Sequence, residues 1–445
     1  MKKIRRTLYI LLIIVVFAVL SCNTGSKPTV AETNNNITDA QLETAIIYEA
    51  NIRQYSPEGT FNAFTKDIPK LKELGVSIIW LMPIHPISIK NRKAEGDLMV
   101  HDIEDPEVRK KYLGSYYAVA DYSAVNPEFG TLEDFRALVK EAHAHNMYVI
   151  LDWVPNHTGW DHAWISTNPD YYTKNDKNEI TDPLNEDGSS IGWTDVADLN
   201  YDNPDLHEAM IKQMAYWVEE EGIDGFRCDV AGSVPLKFWR KAIPALRAID
   251  TVFMLAEAWE PELLHDNLFE MAYAWEGHHV MNQIAKGEKS AAEWDAYITR
   301  KTQQYEANDI LMNFVTNHDE NSWNGTIQER MGPNANLFTV LSCLTPGMPL
   351  IYSGQEYDLN HRLKFFEKDS IPKTKGSSWE LLTKLANLKT TREALHGGKN
   401  PAAYKPLMHK YNILHVQYQQ IVYIILLYVI KCNVIVGGGS PEEVK

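Results

Sequence analysis

The chain has 445 residues, with 43 Lys and Arg against 59 Asp and Glu; the resulting formal charge of −16 repels phosphate backbones and argues against nucleic acid as a partner. Four Cys, two of them in buried-strand or core-like contexts and none at metal-ligand spacing, argue against a disulfide framework. Twelve Trp and 22 Tyr are enough to stack on neutral sugar rings, although most aromatics in a domain are core.

The first residues, MKKIRRTLYILLIIVVFAVLSC, join four cations to an apolar run from Leu8 to Leu20 and a small residue before Cys22. The run is short for a spanning helix and its far flank is small and polar, so residues 1–21 read as a secretory signal peptide. Val19-Leu20-Ser21-Cys22 resembles a bacterial lipobox. It implies cleavage before Cys22, lipidation of its sulfur and a membrane partner through that anchor, on the periplasmic or cell-surface side of the envelope. A plain signal peptide cut nearby is the alternative. Removing Lys2, Lys3, Arg5 and Arg6 would take the charge from −16 to −20. Residues 22–44, rich in Asn, Thr and Ser up to about Asp39, read as a flexible tether.

From Ala45 short β-type runs alternate with amphipathic helical ones. Thr44–Ala50 (TAIIYEA) is a strand, Phe61–Leu74 a helix, Val76–Pro83 (VSIIWLMP) a strand, Leu132–His143 a helix and Met147–Val154 (MYVILDWV) a strand. The pattern continues with a helix over Met210–Glu221, closed by Gly222, and a buried strand over Ile223–Cys228. After these come a helix over Leu236–Ile249 and strands over Thr251–Glu257, Met271–Trp275, Ile310–Thr316 and Pro349–Ser353. Eight strands separated mostly by helices predict an α/β fold, a parallel (β/α)8 barrel over residues 45–396, with a doubly wound sheet as the competing architecture. Asp152, Arg227, Asp229, Glu257, His318 and Asp319 fall at C-terminal strand ends, and a barrel gathers them around one mouth, where sites of this fold lie. Two insertions interrupt the alternation: Ser88–Tyr112 as a loop over the mouth, and residues 157–202 as a small irregular excursion after the third strand. Beyond His396, residues 397–445 include the apolar run Ile421–Ile430, too short to span a bilayer, and read as a short C-terminal β region.

The stretch Gly225–Gly232, GFRCDVAG, carries the most chemistry. Arg227 and Asp229 share one strand face while Cys228 points away. A guanidinium two residues off stabilises an ionised Asp. That suits a carboxylate nucleophile, and a structural Arg/Asp ion pair fits the octapeptide equally well. Glu257 ends an apolar run, where desolvation is expected to raise its pKa, so the two acids are suited to opposite roles.

The residues from about Ile46 to Glu367 resemble the α-amylase family, glycoside hydrolase family thirteen. Four blocks carry the likeness: DWVPNH at Asp152–His157, GFRCDVAG at Gly225–Gly232, LAEAW at Leu255–Trp259 and FVTNHDE at Phe314–Glu320. Supporting blocks are YYAVADYSAVNPEFGT at Tyr116–Thr131, VADLN at Val196–Asn200 and PGMPLIYSGQE at Pro346–Glu356. The resemblance implies Asp229 as nucleophile, Glu257 as general acid and base, and Asp319 as the group that holds the donor ring's hydroxyls. It further implies Arg227 beside Asp229, His157 and His318 bonded to the same ring, Tyr117 stacked on it, and a structural role for Asp152. The implied activity is retaining cleavage of α-1,4 bonds in starch-type glucans or maltooligosaccharides through a glycosyl-enzyme. A transglycosylase or debranching relative is one alternative, and a non-catalytic glucan-binding barrel is another. Calcium is implied at Asn156 and Asp198, with the Ser233 carbonyl as a third oxygen. Gly232-Ser233 departs from the Lys-His that many α-amylases carry there, which puts the ion and the specificity beyond the scissile bond in question.

Overall fold

The computed structural model describes residues 37–402, 404–407, 415–418, 421–426 and 435–437. The stretch expected to be a signal peptide, Cys22 as the expected site of lipidation, most of the expected tether, and Cys432 lie outside the described residues. Eight parallel strands close into a barrel: β1 (Ile47–Ala50), β2 (Ile78–Leu81), β3 (Tyr148–Trp153), β4 (Gly225–Cys228), β5 (Phe253–Ala256), β6 (Met271–Tyr273), β7 (Ile310–Asn313) and β8 (Met348–Tyr352), with β8 pairing back to β1. The predicted (β/α)8 barrel is the observed fold, and a doubly wound sheet is excluded by this closure.

Side-chain alternation builds two cores from the same strands. Ile47, Ile78, Trp80, Ile150, Leu255, Met271, Met312 and Leu350 fill the barrel interior. Tyr48, Ile79, Leu81, Leu151, Phe226, Met254 and Leu311 face outward into the layer beneath the helices. The helix Leu132–Ala144 shows how that layer is made: Thr131 and Asp134 form a capping box, and Phe135, Leu138, Val139 and Ala142 supply the buried stripe. The helix predicted over Phe61–Leu74 is two, Phe61–Thr65 and Ile68–Leu74. Asp67 sits at the break, its carboxylate accepting from Tyr55, Lys70 and Lys373.

The insertions also have structure. Within Ser88–Tyr112, Lys93–Glu95 and Leu98–Met99 form a small antiparallel hairpin. The excursion after β3 is pinned by antiparallel pairing of His157–Gly159 with Val196–Asp198. Four antiparallel strands, Tyr404–Leu407, His415–Tyr418, Ile421–Leu426 and Ile435–Gly437, make up the described part of the C-terminal β region.

Candidate active site

The inward stripe turns polar at the C-terminal end of five of the strands. Glu49 follows Ile47, Asp152 follows Ile150, Arg227 and Asp229 follow Gly225, Glu257 follows Leu255 and Tyr273 follows Met271, so one alternation rule delivers all six to the mouth. Asp152 and Arg227 are register partners across β3 and β4. Gly225, at φ +152, lets β4 pack against β5, because a Cβ there would lie 1.9 Å from the Phe253 carbonyl oxygen.

Arg227 is wholly buried at the centre of the acidic cluster. Its Nη1 donates to Asp152 Oδ1 at 2.8 Å and to Asp229 Oδ1 at 2.9 Å, and its Nε donates to the Tyr273 hydroxyl at 3.1 Å. Nη2 lies 2.8 Å from Glu257 Oε1, an ion contact too bent to be a hydrogen bond. The Trp80 ring covers the guanidinium, 5.0 Å from its centroid. Asp152 Oδ2 accepts from Trp80 Nε1 at 3.1 Å and from the Tyr117 hydroxyl at 3.2 Å. Burial lifts the Asp152 carboxyl to about 6 despite Arg227 and His318.

Asp229 is followed by Val230 at φ 38, ψ 45, a left-handed conformation that a β-branched residue adopts only under constraint. The turn aims the Val230 N–H at Glu257 Oε2, 2.8 Å away. Burial raises both carboxyls, and Arg227 opposes this in both. Glu257 also receives the Val230 N–H, the charge of His318 and a hydrogen bond from Asp229, and it is held below the usual range. Burial and the facing charge of Glu257 push Asp229 well above that range. The surroundings thus push the two carboxyls in opposite directions, Asp229 upward and Glu257 downward. This reverses the expectation from sequence, which gave Arg227 to Asp229 alone and left Glu257 without a stabilising donor.

Opposite this pair, His318 Nε2 lies 2.7 Å from the Tyr117 hydroxyl and 3.4 Å from Asp319 Oδ2, while its Nδ1 bonds Glu49 Oε1. Against the pull of burial, the charges of Asp319 and Glu49 raise His318 to about 9, so it is an imidazolium at neutral pH. His157 has no such partners. Burial lowers it to about 4 and keeps it neutral, with Asn156 Nδ2 3.2 Å from its Nδ1.

These groups meet at a cleft of about 410 Å³. Its lining includes Tyr117, His157, Asp229, Glu257, His318 and Asp319 of the residues expected from sequence, while Arg227 and Asp152 lie beneath and support them. The sequence reading missed the walls: Trp193 of the excursion, 39% exposed, and on the other side Trp323, 52% exposed, with Phe365 and Phe366. Trp323 Nε1 donates to Asp319 Oδ1 at 3.2 Å. Tyr117 stacks on His318 and on Phe365. Glu49 was also missed, although the strand-end rule that selected Asp152 applies to it in TAIIYEA.

Asn156, Asp198 and Ser233 line a second cavity, also about 410 Å³, together with Asn200 and Asp202. Among the described residues Asp198 forms no ion pair with Lys or Arg, and burial raises its carboxyl. Its surroundings are oxygen donors, which suits a hard cation. Among the described residues no three His, Cys, Asp or Glu side chains converge as a metal cluster, so amide and main-chain oxygens would have to complete such a shell.

A closed parallel barrel with an acid pair and a third acid at its C-terminal mouth defines a class, the (β/α)8 barrels that work on a ligand held above the strand ends. Residues 29–394 match the family model described as alpha amylase, catalytic domain, and the chain belongs to that family, glycoside hydrolase family thirteen. It is 27% identical over 356 residues to alpha-amylase 3 of Dictyoglomus thermophilum, covering 70% of this chain and 64% of that one. To the 4-alpha-glucanotransferase of Thermotoga neapolitana it is 27% identical, covering 67% of each chain. The crystal structure of an alpha-amylase from Lactobacillus plantarum superposes with a TM-score of 0.73 at 30% identity, covering 85% of this chain and 86% of that one. The chain spans about half to two thirds of the length of the curated relatives it matches.

Proposed function

We propose that the chain is a retaining enzyme that cleaves α-1,4-glucosidic bonds of starch-type glucans or maltooligosaccharides. The observation that carries this reading is the pair Asp229 and Glu257 bridged by Arg227, with Asp319 lining the same cleft. Retaining cleavage needs one carboxylate to attack while a neighbouring carboxyl donates.

A glucosyl unit enters against Tyr117, and its hydroxyls bond Asp319, His318 and His157. For the reaction to start, Glu257 carries the proton and Asp229 is ionised beside Arg227. Asp229 Oδ then bonds to the anomeric carbon as the glycosidic bond breaks, and the Glu257 proton goes to the departing oxygen. Water gives a proton to Glu257 and its oxygen to the anomeric carbon, the Asp229 ester breaks, and the configuration is retained after two inversions. Arg227 stabilises whichever carboxylate is ionised at each stage, and Asp152 fixes Arg227.

Transfer to a sugar hydroxyl instead of water is the second reading. Trp259, two residues beyond Glu257 and 57% exposed, offers a platform for an acceptor ring. Chromatography of products from amylose, pullulan and maltotriose, using the soluble form without Cys22, separates the two. Products only shorter than the substrate mean hydrolysis, and products longer than it mean transfer. Asp229→Asn should abolish turnover with folding intact; turnover at the wild-type rate would remove Asp229 as nucleophile and leave a glucan-binding barrel or another acid to be sought.

Calcium at Asn156 and Asp198 belongs to the same proposal. The ion would tie the third strand's exit to the excursion that carries Trp193 and so hold one wall of the cleft. The export signal and the lipid on Cys22 are proposed from the sequence, and radiolabelled palmitate incorporation in wild type but not Cys22→Ser tests the anchor.

A further inference from the structure

Glu49 is fully buried at the end of β1, far in sequence from every motif that marks the site. Its Oε1 accepts a hydrogen bond from His318 Nδ1–H, and its Oε2 has no hydrogen-bond partner. A buried carboxylate with one oxygen unpaired is costly unless a cation answers it. No Lys or Arg pairs with Glu49 among the described residues, and His318 is the group that does. We propose that Glu49 is a positioning residue of the active site: it holds His318 as an imidazolium and so presents its Nε2–H to the sugar that Asp319 grips.

The geometry explains why two anchors are needed. His318 Nε2 faces Tyr117 and Asp319 at the cleft, and without a partner on Nδ1 the ring could flip or lose the Nε2 proton. Trp80 meets the ring edge-on and limits its rotation. The charged and titratable groups facing His318 are Glu49 on β1, Tyr117 after β2, Asp152 on β3, Arg227 on β4, Glu257 after β5 and Asp319 beside it. Arg227 disfavours the imidazolium and the acids favour it. Asp152, Glu257 and Asp229 are already committed to Arg227, which leaves Glu49 and Asp319 as the partners of His318. Asp319 must also release its hold in order to bind substrate. Glu49, sealed from the cleft, does not.

This inference rests on the proposed α-glucan reaction, and its test separates the two. Glu49→Gln keeps the shape and an acceptor oxygen while removing the charge. Because Glu49→Gln removes one of the two charges that raise His318, kcat/KM on maltotriose should fall at pH 8 relative to wild type and change little at pH 6. The loss should be carried mainly by KM, and the alkaline limb of the profile should move to lower pH. In the Asp229→Asn background, ¹⁵N resonances should show His318 protonated on both nitrogens at pH 7, and singly protonated at pH 8 once Glu49 is Gln. A Glu49→Gln profile parallel to wild type at all pH values, or a neutral His318 at pH 7 with Glu49 intact, overturns the proposal. The second measurement needs no folded Glu49 variant and no turnover, so inactivity toward α-glucans would sink the reaction and still leave the Glu49 pairing decided.

Discussion

Among the described residues Arg227 is the one cation paired with Asp152, Asp229 and Glu257, and Arg227→Lys tests whether its fork or only its charge matters. Lysine keeps the charge on a single ammonium that cannot stand 2.8–2.9 Å from three carboxylates and also reach the Tyr273 hydroxyl. A hydrogen bond to a charged group contributes about 1.5–3 kcal/mol. Loss of two such contacts would cost about 3–6 kcal/mol, and if that falls on the transition state, kcat/KM should drop by about 10²- to 10⁴-fold. The same change frees the carboxyl that Lys does not reach, so the pair Asp229 and Glu257 should titrate at a different pH. Initial rates on maltotriose from pH 4 to 9, with urea denaturation of both proteins to confirm folding, give the two numbers. Folded Arg227→Lys within tenfold of wild type, with an unshifted profile, would refute the claim that the fork of one guanidinium is needed to hold the carboxylates.

Trp193→Ala and Trp323→Ala should each weaken maltotriose binding about three- to tenfold, as expected for loss of one stacking platform, when titrated calorimetrically into Asp229→Asn; unchanged affinity would make the walls passive. Chelation should lower the melting temperature of wild type and leave Asp198→Asn unaffected, with saturating calcium contributing about 2.7 kcal/mol at a hundred times its dissociation constant. Equal melting with and without chelator in both proteins would remove the ion. Against the effect of burial, His278 at 3.2 Å and Arg330 at 3.4 Å hold Glu320 down to about 2. Its unfolded value is about 4.3, so its contribution of about 3 kcal/mol is present above pH 4.3 and is lost as the pH falls through 2. Glu320→Gln should therefore be less stable than wild type at pH 7 and no different at pH 2 by chemical denaturation.

The barrel was legible because strand alternation is local: Glu49, Asp152, Glu257 and Tyr273 each sit two positions after an inward apolar residue, and Asp229 two after Arg227. Asp152, Arg227, Asp229 and Glu257 could thus be placed from their own strands, and Glu49 yields to the same rule. The walls could not be placed this way. Trp193, Trp323, Phe365 and Phe366 come from three segments, Trp193 lying 130 residues before Trp323 and Trp323 lying 42 before Phe365, and nothing in their local pattern distinguishes a cleft wall from core. The break at Lys66-Asp67 was hidden for a similar reason, since Lys373, some three hundred residues on, takes one of the Asp67 oxygens.

The direction of the two carboxyl shifts differs from the sequence reading for another reason. Neighbours in sequence assigned Arg227 to Asp229, two residues away, but a guanidinium at the centre of a closed ring of strands serves β3, β4 and β5 alike. The balance between the carboxyls then depends on smaller donors, and the decisive one is the Val230 N–H. A valine argues against the left-handed turn that aims this group, and only the packing of the strand exit imposes it. Backbone strain at that position costs on the order of 1–3 kcal/mol, comparable to what an extra N–H contributes to an anionic carboxylate. The turn thus exchanges local stability for control of which acid is charged before the sugar arrives. Substrate that displaces the Asp229 hydrogen bond removes one of the interactions holding Glu257 ionised, which would drive the proton toward the acid that must donate it.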